Sequence, residues 1–146
     1  MGERTGFEHI NFPIKEIPYE EVLKRFKQLY IQENLPIKAT KNVRWFASEV
    51  ACGALIKVSS KKSRIKGTAT LPEWRNNGYG EAILWRLIEE AELAGFQKIE
   101  VFAKYPSWFL NHGFQIIRIT AWETVVLESD VYILMQNKRK ADNGGN

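Results

Sequence analysis

Apolar side chains along this chain follow two periods, and the switches between them mark out its elements. Tyr19, Val22, Leu23, Phe26, Leu29 and Tyr30 recur at three- and four-residue steps, which predicts an amphipathic helix over 19–33 bounded by Pro18 and Pro36. Phe7 to Phe12 reads as an irregular first strand cut short by Pro13, and residues 34–42 as a loop or a short second helix. Extended runs over about 43–48, 51–59 and 63–71 predict three strands, the last two joined by Ser59-Ser60-Lys61-Lys62-Ser63. Ile83, Leu84, Leu87, Ile88, Ala91 and Ala94 then share one face of a long helix that Gly95 caps. Lys98 to Ala103 reads as a strand, and Pro106 to Gly113 brackets a short helix. Gln115 to Ala121 and Asp130 to Gln136 are expected to close the sheet. With no repeat in the chain, residues 1–137 are expected to form a single domain, and 138–146 a disordered basic tail.

The junction between the third of those runs and the long helix carries the most chemistry. It reads Thr70-Leu71-Pro72-Glu73-Trp74-Arg75-Asn76-Asn77-Gly78-Tyr79-Gly80. Two glycines spaced G-x-G let backbone N–H groups approach a bound group with no side chain in the way. The first N–H groups of the helix lack internal partners and point to the same place. A negative charge there gains about 0.3–1 kcal/mol from the helix dipole. The site suits an anion, with phosphate the expected ligand and a plain turn the alternative. No Lys-Ser or Lys-Thr follows the glycines, and Ile83 stands where G-x-G-x-x-G needs its third glycine. A P-loop ATPase and a dinucleotide-dependent oxidoreductase are therefore disfavoured.

Arg75-Asn76-Asn77-Gly78-Tyr79-Gly80 resembles the R/Q-x-x-G-x-G/A signature of the GNAT N-acetyltransferase superfamily. Thr70-Leu71-Pro72-Glu73-Trp74 is similar to its V-x-P-E-aromatic lead-in, Lys98–Ala103 to its fifth strand, and Ser107–Phe114 to its F-Y-x-x-x-G-F segment. Upstream, Arg44–Ala47 and Cys52–Lys57 resemble its paired second and third strands, so the likeness runs from about residue 43 to 137. The resemblance implies an α/β (α+β) fold. Its mixed, mostly antiparallel sheet has six or seven strands, splays between the fourth and fifth, and is flanked by about four helices. It also implies acetyl-coenzyme A as acyl donor and an amine as acceptor. Ala69 and Thr70 would pair with the pantetheine arm, and Arg75, Asn76, Asn77, Gly78, Tyr79 and Gly80 would hold the diphosphate. For Arg75 an anchoring role in the loop is an equal expectation, and for Tyr79 a packing role is preferred.

The same resemblance implies a backbone donor near Thr70 that polarises the thioester carbonyl, a tyrosine that protonates the leaving thiolate, and a strand glutamate that collects the amine proton. The chain departs from this pattern. Phe109 occupies the tyrosine position, Phe102 that of a frequent asparagine, and residues 64–71 contain no carboxylate. Tyr105 is the first candidate for the acid, with packing as its alternative. Glu49 is a candidate base, whereas Glu100 is expected to face away from the core by alternation with Ile99 and Val101.

Composition narrows the remaining choices. No apolar run reaches the roughly 20 residues of a membrane span, Met1–Gly6 lacks the apolar stretch of a signal peptide, and one cysteine excludes an internal disulfide. The expectation is a cytoplasmic protein, monomer or homodimer, without a membrane partner. His9, His112 and Cys52 make no metal-ligand spacing. Cys52 reads as a small buried residue, and His112 as a surface one. Trp45 and Trp108 are candidate walls of an acceptor pocket. The net charge is +4, with Lys57, Lys61, Lys62, Arg64 and Lys66 concentrated on one hairpin. A solvated hairpin is the simpler reading, and nucleic acid is the alternative partner it leaves open. A non-catalytic acyl-coenzyme-A-binding module is the third reading, since the usual acid and base are missing.

Overall fold

The computed structural model describes residues 11–32, 43–120 and 124–143. The expected strand at Phe7–Phe12 and the 34–42 segment fall wholly or largely outside them, as does His9. Within the described residues, seven strands form one sheet: β1 (Lys15–Ile17), β2 (Val43–Ala47), β3 (Ala51–Lys57), β4 (Lys62–Thr70), β5 (Lys98–Ala103), β6 (Gln115–Ile119) and β7 (Val125–Asp130). Their order is β1-β2-β3-β4-β5-β7-β6, and every neighbouring pair is antiparallel except β4 and β5. Among the described residues, four helices flank the sheet: α1 (Tyr19–Gln32), α2 (Tyr79–Leu93), α3 (Ser107–Leu110) and α4 (Val131–Asp142). A single 3-10 turn, Pro72–Trp74, leads from β4 towards α2. This is the fold class read from the sequence. Among the described residues, no helix is long and apolar enough to cross a membrane.

Alternation along the strands divides the core in two. On one face Phe46, Ala51, Leu55, Ile65, Ile99 and Leu127 meet Ile83, Leu84, Leu87 and Ile88 of α2. On the other, Trp45, Ala47, Cys52 and Ala54 meet Val22, Phe26, Leu29 and Tyr30 of α1. Each fully buried aliphatic or aromatic side chain contributes about 1.5–3 kcal/mol. α2 sits so low on β3 that a Cβ at Gly53 would lie 2.9 Å from the Ile83 Cγ2.

The C-terminal region corrects the sequence reading. The last strand is Val125–Asp130, and 131–142 is helix rather than strand followed by disordered tail. Val131, Leu134 and Met135 step by three and one around a helix and bury against α2, while Tyr132 and Ile133 face solvent. A β-favouring run therefore becomes helical because that geometry alone buries it on the α2 side of the sheet. Lys138 pairs with Asp142 at 2.8 Å, and Arg139 reaches Glu92 on α2 at 3.1 Å, so the expected tail is helical through Asp142.

Candidate functional site

β4 and β5 pair only over Lys62–Ile65 against Lys98–Val101, although β4 continues to Thr70 and β5 to Ala103. The cause is a bulge in β4. Cys52 pairs with Ala69 and Ala54 with Lys66, so Gly67 and Thr68 together stand opposite Gly53. Gly67 has φ +64°, and a Cβ there would lie 3.2 Å from the Trp45 ring. The position thus excludes side chains by backbone conformation and by space. A bulge bends its strand and increases its twist, and here it carries the end of β4 away from β5.

The bulge also resets which way side chains point. Ile65 belongs to the α2 face, while Gly67 faces Trp45 and Tyr30 on the α1 face. Beyond it Thr68 lies against Gly53 on the α2 side, Ala69 packs with the α1-side cluster, and Thr70 returns to α2. One extra residue reverses the phase of everything after it. Thr68 and Thr70 thereby line a cavity of about 550 Å³.

The cradle read from the glycines forms the far end of that cavity. Gly78 is the N-cap of α2 at φ +88°, makes no side-chain cap bond, and has open space where a Cβ would stand. Asn76 also has positive φ, at +64°. Gly80 lies so close to β4 that its Cβ would sit 3.1 Å from the Thr70 Oγ1. The Arg75 Nε donates to the Thr70 carbonyl at 3.1 Å, and the Asn77 Nδ2 to the Arg75 carbonyl at 2.8 Å, so these side chains brace the turn. Arg75, Asn76, Gly78 and Gly80 join Ala69 and Thr70 in the cavity wall. The Tyr79 ring does not: it is buried between Trp74 and Phe12, at centroid distances of 5.8 and 5.4 Å, leaving only its backbone at the junction.

Tyr105, Trp108 and Phe109 close the cavity from the α3 side. Tyr105 is 78 % exposed, so its hydroxyl can meet a ligand. Glu49 is not brought together with these groups. It is exposed on the β2–β3 turn and lines a separate hollow of about 410 Å³ with Lys15, Glu21 and Arg25. Among the described residues, Glu81 is the carboxylate that lines the main cavity, at its cradle end.

Several other expectations resolve differently. Glu100 does point away from Ile99 and Val101, yet it is only 4 % exposed because Arg64 and Lys62 cover it, with Arg64 Nε at 2.6 Å and Lys62 Nζ at 3.6 Å. Lys62 also bonds Glu128 at 2.8 Å, which raises its pKa. Lys62 and Arg64 of the hairpin are therefore held by carboxylates of β5 and β7. Cys52 is fully buried 2.9 Å from the Tyr30 hydroxyl, and burial pushes its thiol up to about 12. It is a packing residue. His112 is wedged between Trp85 and Trp108 rather than lying free on the surface, and its Nδ1 is 2.7 Å from the Trp108 carbonyl. Trp45 is buried against Tyr30 and lies outside the main cavity, which Trp108 does line. No cluster suited to a metal occurs among the described residues. Sequence reasoning missed Thr68, for which the signal was the glycine inside the β4 pattern.

Comparison with family models adds the deciding observation: the Acetyltransferase (GNAT) family model matches residues 20–107. The chain belongs to that family. Solved GNAT-like structures share its fold at low identity. A protein from Klebsiella pneumoniae subsp. pneumoniae, provisionally named an acyl-CoA N-acyltransferase, is 18 % identical with TM-score 0.69, covering 82 % of this chain and 97 % of its own. A GNAT family acetyltransferase from Elizabethkingia anophelis with acetyl-CoA bound is 17 % identical with TM-score 0.62, over 82 % and 98 %. Rv2747 from Mycobacterium tuberculosis, in complex with CoA and NLQ, is also 17 % identical, with TM-score 0.66 over 81 % and 98 %. Comparison with curated proteins gives no match.

Proposed function

We propose that this GNAT protein transfers an acyl group, acetyl in the first instance, from a coenzyme A thioester to an amine. The observation that carries the reading is the parting of β4 from β5 beside an uncapped, glycine-lined helix N-terminus. Among the described residues, β4 past Ile65 has a ladder partner on its β3 side alone. The β5-facing edge of Ala69 and Thr70 is thus available to a peptide-like arm, as a strand edge accepts an added strand. The open cradle at Asn76–Gly80 would hold a diphosphate, each charge-assisted hydrogen bond being worth about 1.5–3 kcal/mol.

The donor, when bound, supplies an activated carbonyl and a thiolate leaving group. Backbone N–H groups around Thr70 stabilise the negative charge that develops on the carbonyl oxygen. As the amine nitrogen bonds to the carbonyl carbon and the carbon–sulfur bond breaks, Tyr105 gives the thiolate a proton. Water takes the proton lost by the amine, because Glu49 and Glu100 are directed elsewhere. Phe109 supplies an apolar wall where related sequences place a tyrosine.

Calorimetric titration with acetyl-CoA, with CoA and ATP as controls, tests the reading, followed by thiol release across a panel of amines. Micromolar binding of acetyl-CoA, weak ATP binding and amine-dependent thiol release are expected. Absence of acetyl-CoA binding overturns the proposal. Binding without thiol release on any amine would make the chain an acyl-CoA-binding module.

A further inference from the structure

Among the described residues, two buried side-chain polar atoms have no hydrogen-bond partner: the Trp45 Nε1 and the Thr68 Oγ1. Trp45 packs against the β4 bulge, and Thr68 is part of it. Trp45 is on the α1 side, away from the main cavity, whereas Thr68 lines it. A hydroxyl withdrawn from water without a partner is destabilising, and such orphans call for an explanation. The Thr68 hydroxyl lies near Gly53, where an added Cβ would be 3.5 Å from the Oγ1 and 2.9 Å from the Ile83 Cγ2. Thr68 itself lines the cavity, with its Oγ1 shielded from solvent in the ligand-free state, so a small turn of the side chain brings the hydroxyl to the cavity face.

Its place along the strand says what would meet it there. Thr70 adjoins the cradle through Gly80, and the strands begin to part after Ile65. Thr68 lies between these points, two residues or about 6.6 Å deeper than Thr70. A ligand with its phosphates in the cradle and its arm in the gap brings its reacting end towards Thr68. The bulge is what puts Thr68 on the cavity side of the strand, since unbroken alternation from Ile65 would turn it to the α1 face.

We infer that the Thr68 hydroxyl is a second donor to the thioester carbonyl, a side-chain complement to the backbone N–H groups around Thr70. The inference rests on the donor reading above. Thr68 keeps its proton throughout: it donates a hydrogen bond that strengthens as the carbonyl oxygen gains negative charge. A preoriented donor in a water-poor site is effective because it needs no reorganisation. The resting enzyme carries the unsatisfied group, and ligand binding satisfies it.

The test compares wild type, Thr68→Val and Thr68→Ser by infrared difference spectroscopy with acetyl-CoA carrying carbon-13 at the thioester carbonyl. In the wild type and Thr68→Ser, the carbonyl band is expected to move to lower frequency on binding. In Thr68→Val it should return towards the free value, with acetyl-CoA binding several-fold weaker and CoA binding, which involves no thioester carbonyl, unchanged. With a competent amine, kcat of Thr68→Val should fall about a hundredfold, and Thr68→Ser should recover most of it. Thr68→Val should melt at or above the wild-type temperature, since no folded-state bond is lost. A band unchanged by Thr68→Val, a Ser variant as impaired as Val, or a lowered melting temperature for Val overturns the inference. Absence of acetyl-CoA binding by the wild type overturns the donor reading itself and this inference with it. Binding with an unmoved band overturns this inference alone.

Discussion

The phenol of Tyr30 on α1 donates a hydrogen bond to the carbonyl of Gly67, 37 residues away at the β4 bulge. The same oxygen lies 2.9 Å from the Cys52 Sγ on β3. One helix is thereby tied to the feature that opens the sheet. Tyr30→Phe should leave the Gly67 carbonyl without this partner and cost about 1–3 kcal/mol in urea unfolding. A loss under half a kilocalorie (about 0.5 kcal/mol) would mean that the bulge holds without the tether.

Cys52 and Tyr30 also predict alkaline behaviour. Burial raises the Cys52 thiol from its ordinary 9.0 to about 12, and raises Tyr30 as well. A raised folded-state pKa contributes stability that is fully present below the unfolded value and is lost as pH climbs through the folded one. Urea midpoints should therefore decline between pH 9 and about 12. Cys52→Ala should flatten part of that decline. At pH 8, a disulfide reagent should label Cys52 slowly in the native protein and rapidly in urea.

Gly78→Glu places a carboxylate in the cradle, where a side chain has room but φ is +88°. Acetyl-CoA affinity should drop by more than tenfold, about 1.4 kcal/mol or more. Gly78→Ala carries the backbone strain of about 1–2 kcal/mol without the charge, and should retain much of the affinity. Equal calorimetric constants for Gly78→Glu and wild type would remove the phosphate assignment.

Tyr105→Phe should lower kcat by about tenfold or more while donor affinity stays near wild type, as loss of a general acid does. The acidic pH limb of the wild-type rate would be unaffected, and the difference would narrow when a donor with a more acidic leaving thiol is used. Unaltered turnover would assign thiolate protonation to water.

Arg64 covers the buried Glu100 at 2.6 Å and lies 4.6 Å above the Phe102 ring. Arg64→Met should destabilise by about 1–2 kcal/mol, less than a fully buried pair would lose, because Lys62 remains close to the carboxylate. Donor binding should be preserved, which separates this structural pair from the site. A comparable fall in acetyl-CoA affinity would contradict that separation.

Much of the architecture was legible because it is local. The 3.6-residue stripe from Tyr19 to Tyr30, the alternating runs of the central strands and the glycines at 78 and 80 each encode an element or a turn within a short window. Their order along the chain, with the motif they carry, was enough to indicate the fold and the cradle. Residues 131–142 misled, since Val-Tyr-Ile-Leu favours a strand in isolation, and the face offered by α2 makes it a helix. Tertiary structure alone decided the rest. An extra residue at the bulge turns Thr68 towards the cavity, Arg64 and Lys62 take Glu100 out of consideration as a base, and the β2–β3 turn carries Glu49 to another hollow. Periodicity records what a residue is next to in the chain. Which groups converge depends on register, on one bulge and on ion pairs between strands far apart in sequence, and those are settled only when the sheet closes against its helices.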